Sequence, residues 1–300
     1  MRKYFLALIL PILVFSIAHG DDARDAPSFY DPLIRRLELE GFNPGFLSGL
    51  LSDPRAESVP QVMTLSFNSG ENPDLYAKFL TPELISLSKK FFRDNLKMLR
   101  RMEKKFHVDK EVVVGILLVE SRFGENIGKY RVIPTLGSMA LMDSPENLWN
   151  NFKVLRDMDP DLSYEWLEDL AKRRARWAYS ELKCFLKIIQ DEEMDPLEVR
   201  GSYAGALGMA QFLPSSYLNY GLKDKGFSKW LLGKEEAIFS IGNYLKSNGW
   251  KKNLSIEQKK RVLWSYNHSS PYVGTVIEVA ERLRRKGARF QSSQAEPNPK

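Results

Sequence analysis

The sequence predicts a mainly α-helical protein. Apolar residues recur at three- and four-residue spacing over most of the chain, strand signals are weak, and no segment repeats at a period of roughly 20–50 residues. Helices are expected over 29–41, 44–52, 82–106, 109–121, 133–141, 163–190, 234–248, 255–266 and 270–287. Over 82–106, Leu84, Leu87, Phe91, Leu99, Met102 and Phe106 share one face, with Thr81 as a candidate cap and Pro82 in the first turn. Asp109 is a candidate cap for the next helix. In 234–248, Ala237, Ile238, Ile241, Tyr244 and Leu245 align and Asn248-Gly249 ends the run. Val273, Val276, Ile277, Ala280 and Leu283 make the core stripe of the last helix. Val62 to Phe67 reads as a short strand or an extended link before Asn68-Ser69-Gly70. The stretch 143–162 reads as a surface excursion between two helical halves. The stretch 200–210 is too rich in Gly and Ala for a regular element, and Pro214-Ser215-Ser216 opens a short helix.

The 300 residues are 43% hydrophobic and 27% charged, which excludes a wholly disordered or collagen-like chain. Residues 1–20 have the anatomy of a secretory signal peptide: basic Arg2 and Lys3, the apolar run Tyr4 to Ile17, then small Ala18 and Gly20 before Asp21-Asp22. The run is short for a membrane anchor, which needs about 20 apolar residues, and no Cys stands near the cleavage point to carry a lipid. Export to the periplasm is therefore expected. Residues 21–290 are read as one module and 291–300 as a disordered polar tail. With 44 Lys+Arg against 38 Asp+Glu the net charge is +6, or +4 once Arg2 and Lys3 are removed. The basic clusters read as solvated helix faces, Arg173 and Arg174 among them. No recognition module for nucleic acid accompanies them, and an anionic envelope polymer is the natural partner. The lone Cys184 forms no internal disulfide and reads as a buried small hydrophobe. One Cys and three His exclude the usual zinc site, and no cofactor is expected.

Three segments carry chemistry. Val112 to Gly124 (VVVGILLVESRFG) is apolar on nearly every face and must be buried, with Glu120 at its C-terminal end. Burial and the negative end of the helix dipole both favour a protonated carboxyl there, as a general acid requires. The alternative is a structural ion pair with Arg122 or Arg131. Gly201 to Tyr217 (GSYAGALGMAQFLPSSY) leaves a wall of backbone bare beside the amide of Gln211, which suits close approach of a ligand and equally suits tight helix packing. It is no dinucleotide fingerprint, since no strand precedes it. The third is Tyr266-Asn267 with Ser269 and Tyr272, before the final helix.

Taken together, Glu120-Ser121-Arg122-Phe123-Gly124, Gly201 to Ala206, Gln211 to Ser216 and Tyr266-Asn267 resemble the lytic murein transglycosylases of the membrane-bound B type, which have a lysozyme-like fold. Leu80-Thr81-Pro82, Arg173-Arg174-Ala175, Ser180-Glu181-Leu182, Asp195-Pro196-Leu197 and Asn248-Gly249-Trp250 extend the resemblance over about 28–287. It implies a lysozyme-like core with added N-terminal and inserted helices. It also implies cleavage of the β-1,4 bond between N-acetylmuramic acid and N-acetylglucosamine in peptidoglycan, with 1,6-anhydro ends. Glu120 would act as acid and then base. Ser202 and Gln211 would orient the sugar, and Tyr266 and Asn267 would line the site, with Tyr272 a further aromatic. Arg173 and Arg174 would contact the anionic stem peptide. Phe123, Tyr203 and Phe212 would stack on sugars or belong to the core. The partner implied is the glycan strand, the protein acting as a monomer; cell-wall synthesis or division partners are not identified. A muramidase hydrolysing the same bond and a silent peptidoglycan-binding protein are the alternatives.

One departure concerns calcium. Members of this type can carry an EF-hand-like loop after the Pro-Ser-Ser helix. The corresponding stretch, Asn219 to Lys229, has one acid and three Lys. A calcium loop needs several carboxylates and a terminal bidentate Glu, so no calcium is expected there.

Overall fold

The computed structural model describes residues 28–67, 74–190, 192–222 and 226–285. The expected signal peptide, the C-terminal tail and Asn68-Ser69-Gly70 lie outside these residues. An N-terminal group comprises α1 (Asp31–Leu39), α2 (Pro44–Leu51), α3 (Pro60–Phe67) and the single turn α4 (Asp74–Ala77). Then come α5 (Pro82–Asp94), α6 (Leu96–Phe106) and α7 (Lys110–Ser121), followed by strand β1 (Tyr130–Arg131) and α8 (Val132–Ala140). The pair α9 (Pro145–Met158) and α10 (Tyr164–Ile189) leads to strand β2 (Arg200–Gly201). The chain closes with α11 (Pro214–Tyr220), α12 (Phe227–Leu232), α13 (Lys234–Ser247), α14 (Ile256–Tyr266) and α15 (Ser270–Arg285).

Helices dominate, as the periodicity requires, and the one sheet among the described residues is the antiparallel pair β1–β2, in which Tyr130 faces Gly201. Two helices form the centre. In α7 every residue from Glu111 to Leu118 is buried, and α8 is buried along its whole length. α7 is enclosed by α5, α6, α13 and α15, and α8 by α3 and α10. Such a helix has no polar face to give to water, which is why α7 reads as apolar on nearly every face.

Several expectations are corrected. The expected helix 82–106 is two helices: Asn95 leaves helical geometry (φ −112°, ψ 13°) and its side chain shares the Phe91 carbonyl (2.8 Å) with its own N–H. Val62 to Phe67 is helical, not extended: Pro60 starts the helix, and Val62, Met63 and Ser66 are buried at helical spacing. The stretch 143–162 holds α9, capped by Ser144, which buries Leu148, Asn151, Phe152 and Leu155. Neither Thr81 nor Asp109 caps with its side chain, although each occupies the capping position. Cys184 is only partly buried.

Candidate active site

Helix α7 ends on three consecutive residues with positive φ: Arg122 (49°), Phe123 (63°) and Gly124 (95°). They turn the chain sharply and leave Glu120 at the last buried turn. Ser121 holds the turn in place, its hydroxyl donating to the Met209 carbonyl (2.7 Å) and accepting from the Gly124 N–H (3.0 Å). The ESRFG segment is thereby fastened to the glycine-rich loop, where the terminal methyl of Met209 would stand 2.9 Å from a Cβ at Gly124.

The opposite wall comes from α15. It runs antiparallel to α7, and the two approach so closely that a Cβ at Gly115 would stand 2.9 Å from the Val276 carbonyl oxygen. One turn before Val276, Tyr272 is buried and its hydroxyl donates to Glu120 Oε1 at 2.7 Å. The Tyr266 ring lies parallel to that of Tyr272 (interplanar 9°), and its hydroxyl donates to the Ala210 carbonyl (2.6 Å). Tyr76 meets Tyr272 edge-on.

No cation among the described residues pairs with Glu120. Arg131 bonds instead to Glu198 and the Leu197 carbonyl, and Arg122 is exposed without an ion pair. Burial pushes the Glu120 carboxyl up to about 7, with the Tyr272 hydrogen bond acting in the opposite direction. Burial and the neighbouring Glu120 carboxylate both raise the two phenols well above their ordinary range. They are therefore hydrogen-bond donors at neutral pH. Glu120 opens on a cavity of about 190 Å³ formed with Lys78, Phe79, Leu84, Val119, Arg122 and Asn126 among others, and none of the other lining residues is a carboxylate.

The glycine-rich loop is braced by its own polar groups. Ser202 accepts from the N–H groups of Ala204 and Ala206 (3.1 Å each). Gln211 has φ of 49°, and its amide nitrogen donates to the carbonyls of Gly208 (2.8 Å) and Ile127 (3.2 Å). These contacts occupy the Gln211 amide donors. Gly128 and Gly201 touch so closely that no side chain fits between them, which locks the loop to the segment after α7.

The structure gathers Glu120, Tyr272, Tyr266 and Gln211 around one stretch of loop backbone. Asn267 follows at the turn into α15, its carbonyl accepting from the Ser269 N–H. Tyr203 is 39% exposed on the loop. Arg174 donates to Ser66 and lies over the Phe67 ring, so it is anchored to α3, whereas Arg173 is exposed. For two aromatics the structure takes the core alternative. Phe212 is 2% exposed amid Trp230, Tyr244 and Tyr266, so it is core and offers no face to a sugar. Phe123 stacks on Phe91 at 4.2 Å. Sequence reasoning missed Tyr76 and Lys78, for which only the neighbouring Leu80-Thr81-Pro82 was a signal. It quoted Ser121 without seeing its role as a tie.

Comparison with known proteins agrees with this geometry. The transglycosylase SLT domain matches residues 27–262. The chain belongs to this family. It is 30% identical over 247 residues to membrane-bound lytic murein transglycosylase B of Escherichia coli K12, covering 78% of this chain and 60% of that protein. The chain thus spans under two thirds of the length of this family member. Among solved structures, the Escherichia coli lytic transglycosylase SLT35 in complex with calcium aligns with a TM-score of 0.66 and 25% identity, over 85% of this chain and 92% of that one. Soluble lytic transglycosylase SltB1 from Pseudomonas aeruginosa aligns with a TM-score of 0.68 and 22% identity, over 86% and 98%. The mainly α, lysozyme-like fold expected from the sequence is the fold of these family structures.

The Asn219 to Lys229 stretch, where no calcium is expected, is only partly described. In this stretch Leu222 N–H donates to Ser240, Phe227 N–H to Glu192, and the Tyr220 carbonyl accepts from Asn243, which ties the flanks to the protein. Lys223, Asp224 and Lys225 lie outside the described residues, and two of these three are cations. Among the described residues, no group of three or more His, Cys, Asp or Glu can hold a metal ion. No described helix is long and apolar enough to cross a membrane.

Proposed function

We propose that this chain is an exported peptidoglycan lytic transglycosylase, cutting the MurNAc-β-1,4-GlcNAc bond with Glu120 as acid and then base. One observation carries the reading: a part-buried carboxyl with no cationic partner among the described residues, raised to about 7, held by a phenol and facing a cavity with no second acid. Ordinary glycosidases use two carboxyl groups, one of them a nucleophile or a base for water. Here one suffices if the substrate supplies its own nucleophile. Protonated Glu120 gives its proton to the glycosidic oxygen as the bond from C1 of the muramoyl sugar to that oxygen breaks. The resulting carboxylate accepts the proton of the C6 hydroxyl as O6 bonds to C1, which closes the 1,6-anhydro ring and returns Glu120 to its starting state.

Tyr272 fixes the carboxyl and its donor stabilises the anion formed between the two steps. Tyr266, Asn267, Ser202 and the Gln211 carbonyl line the sugar's side of the site. Tyr203 with Arg173 and Arg174 provides an edge for the stem peptide and its carboxylates. The strand is the substrate, and the protein acts as a monomer in the periplasm without a cofactor.

The test is digestion of purified murein sacculi by the wild type and Glu120→Gln, with products identified by mass spectrometry. Anhydro ends from the wild type and none from the variant are expected. Equal activity of the variant would remove Glu120 from its role, reducing ends alone would make the protein a muramidase, and no products from either would leave a binding protein.

A further inference from the structure

Two open grooves meet on the outer face of α14. One, of about 400 Å³, lies between α14 and the start of α15, with Lys260, Trp264, Ser270 and Gly274 in its walls. The other, of about 360 Å³, runs beside the Asn248-Gly249 turn past Lys251 and Gln258. Arg261 lines both. Trp264 is 42% exposed, lines the groove and meets the His268 ring at 5.6 Å in a T-shaped contact. No atom stands within 4 Å of where a Cβ at Gly274 would be, so the floor beside the indole is open.

The charge of this trough is positive. Its one acid, Glu257, is held by Lys260 at 2.9 Å. Arg261 makes no ion pair among the described residues and is exposed, and the exposed Lys251 and Lys252 continue the basic side. Arg261 and Trp264 stand three residues apart on one helix face and are neighbours. A flat apolar ring beside an uncommitted guanidinium suits a ligand with an apolar ring face and a carboxylate in reach.

We infer that this trough binds the carboxylate-bearing muramoyl-peptide part of peptidoglycan, as a second, non-catalytic contact with the polymer. The inference rests on the reading of the site given above. Tyr272 faces Glu120 from one side of α15 while Ser270 and Gly274 face the trough from another, so about one helix diameter, roughly 10 Å, separates the two. A weak second contact on the same polymer raises the time spent on it without altering the chemical step.

The test uses the full chain and purified sacculi. In a Glu120→Gln background, Trp264→Ala and Arg261→Glu are each expected to weaken cosedimentation with sacculi by about tenfold. The same exposed reversal at Lys104→Glu, on α6, should leave it unchanged. With Glu120 intact, Trp264→Ala and Arg261→Glu should slow solubilisation of sacculi and keep the wild-type kcat/KM on a soluble tetrasaccharide muropeptide. Unchanged cosedimentation of both variants overturns the inference. So does an equal effect of Lys104→Glu, which would mean diffuse charge, and so does an equal loss on the short fragment, which would make the trough part of the cleft. Failure of the wild type to cut either substrate overturns the proposed function instead, and the binding comparison without Glu120 is read independently of it.

Discussion

Helix α7 carries carboxylates at both ends, and the two ends are built differently. At the N-terminal end, Asp109 is bonded to Lys259 (2.6 Å) and Arg284 (2.7 Å), and Glu111 pairs with Lys110 (3.1 Å). At the C-terminal end Glu120 has, among the described residues, no cation and a single phenol, in a setting that favours its neutral form. The helix dipole reinforces the contrast, welcoming negative charge at the first end and opposing it at the second. Satisfied carboxylates tether α14 and α15 to the core. The unsatisfied one keeps a proton near neutral pH. A buried acid is therefore chemically informative when its partners are missing, and burial alone says little.

The largest expected effect is at the unsatisfied end. Glu120→Gln should lower glycan cleavage on the order of 10³-fold or more. The same variant should reveal the cost of the charge. The folded chain holds a proton on Glu120 between the ordinary Glu value of 4.5 and about 7 that the unfolded chain has released, so stability falls as pH rises through this window. Above pH 7 the variant should be the more stable protein, by up to about 3 kcal/mol, and thermal melts at pH 5 and pH 8 measure it. A variant no more stable at pH 8 would mean that the carboxylate is well solvated.

Tyr272→Phe comes next. Loss of a hydrogen bond to a carboxylate is worth about 1.5–3 kcal/mol, or roughly ten- to hundredfold in kcat. Activity requires protonated Glu120 and so declines as pH rises past about 7. Because the phenol lowers the Glu120 pKa, the variant's alkaline limb should move upward, a shift that a general loss of packing would not produce.

Gly115→Ala tests whether the close approach of α7 and α15 sets that bond. Its methyl group would meet the Val276 backbone, so a stability loss of about 1–3 kcal/mol is expected, with lower kcat and the same upward limb shift. Asp109→Asn should act only on stability, costing about 1 kcal/mol at this partly exposed cluster and leaving kcat unchanged. A large fall in kcat would break the division between the two ends. The smallest effect is expected of calcium: adding it should shift neither Tm nor activity, and tight stoichiometric uptake in a titration would reverse the assessment of the Asn219 to Lys229 stretch.

The helices were legible wherever one face is apolar and the other wet, and α7 was legible because it has no wet face. The break at Asn95 was hidden because it lies in the dihedral angles of one residue and leaves the apolar periodicity unchanged. α3 was hidden because its eight residues are too few to separate a helical from an extended pattern, and α9 because its cap and buried residues matter only once neighbours are present. In the site, Glu120 stood out by its apolar approach and the loop by its glycines. Phe212 and Phe123 did not separate from sugar-facing aromatics, since nothing local distinguishes a ring packed on Trp230 or Phe91 from one left exposed.

Taken alone, the sequence determined the helical class, the desolvated position of Glu120 and the bare backbone of 200–210, because these follow from composition and spacing within short windows. Only the tertiary structure decided that Glu120 meets Tyr272 and not Arg122 or Arg131, and that the Ser121 hydroxyl ties its helix to Met209. These are contacts between segments 88 and 152 residues apart in the chain. Their geometry depends on how closely α7 and α15 can approach, which local periodicity does not encode.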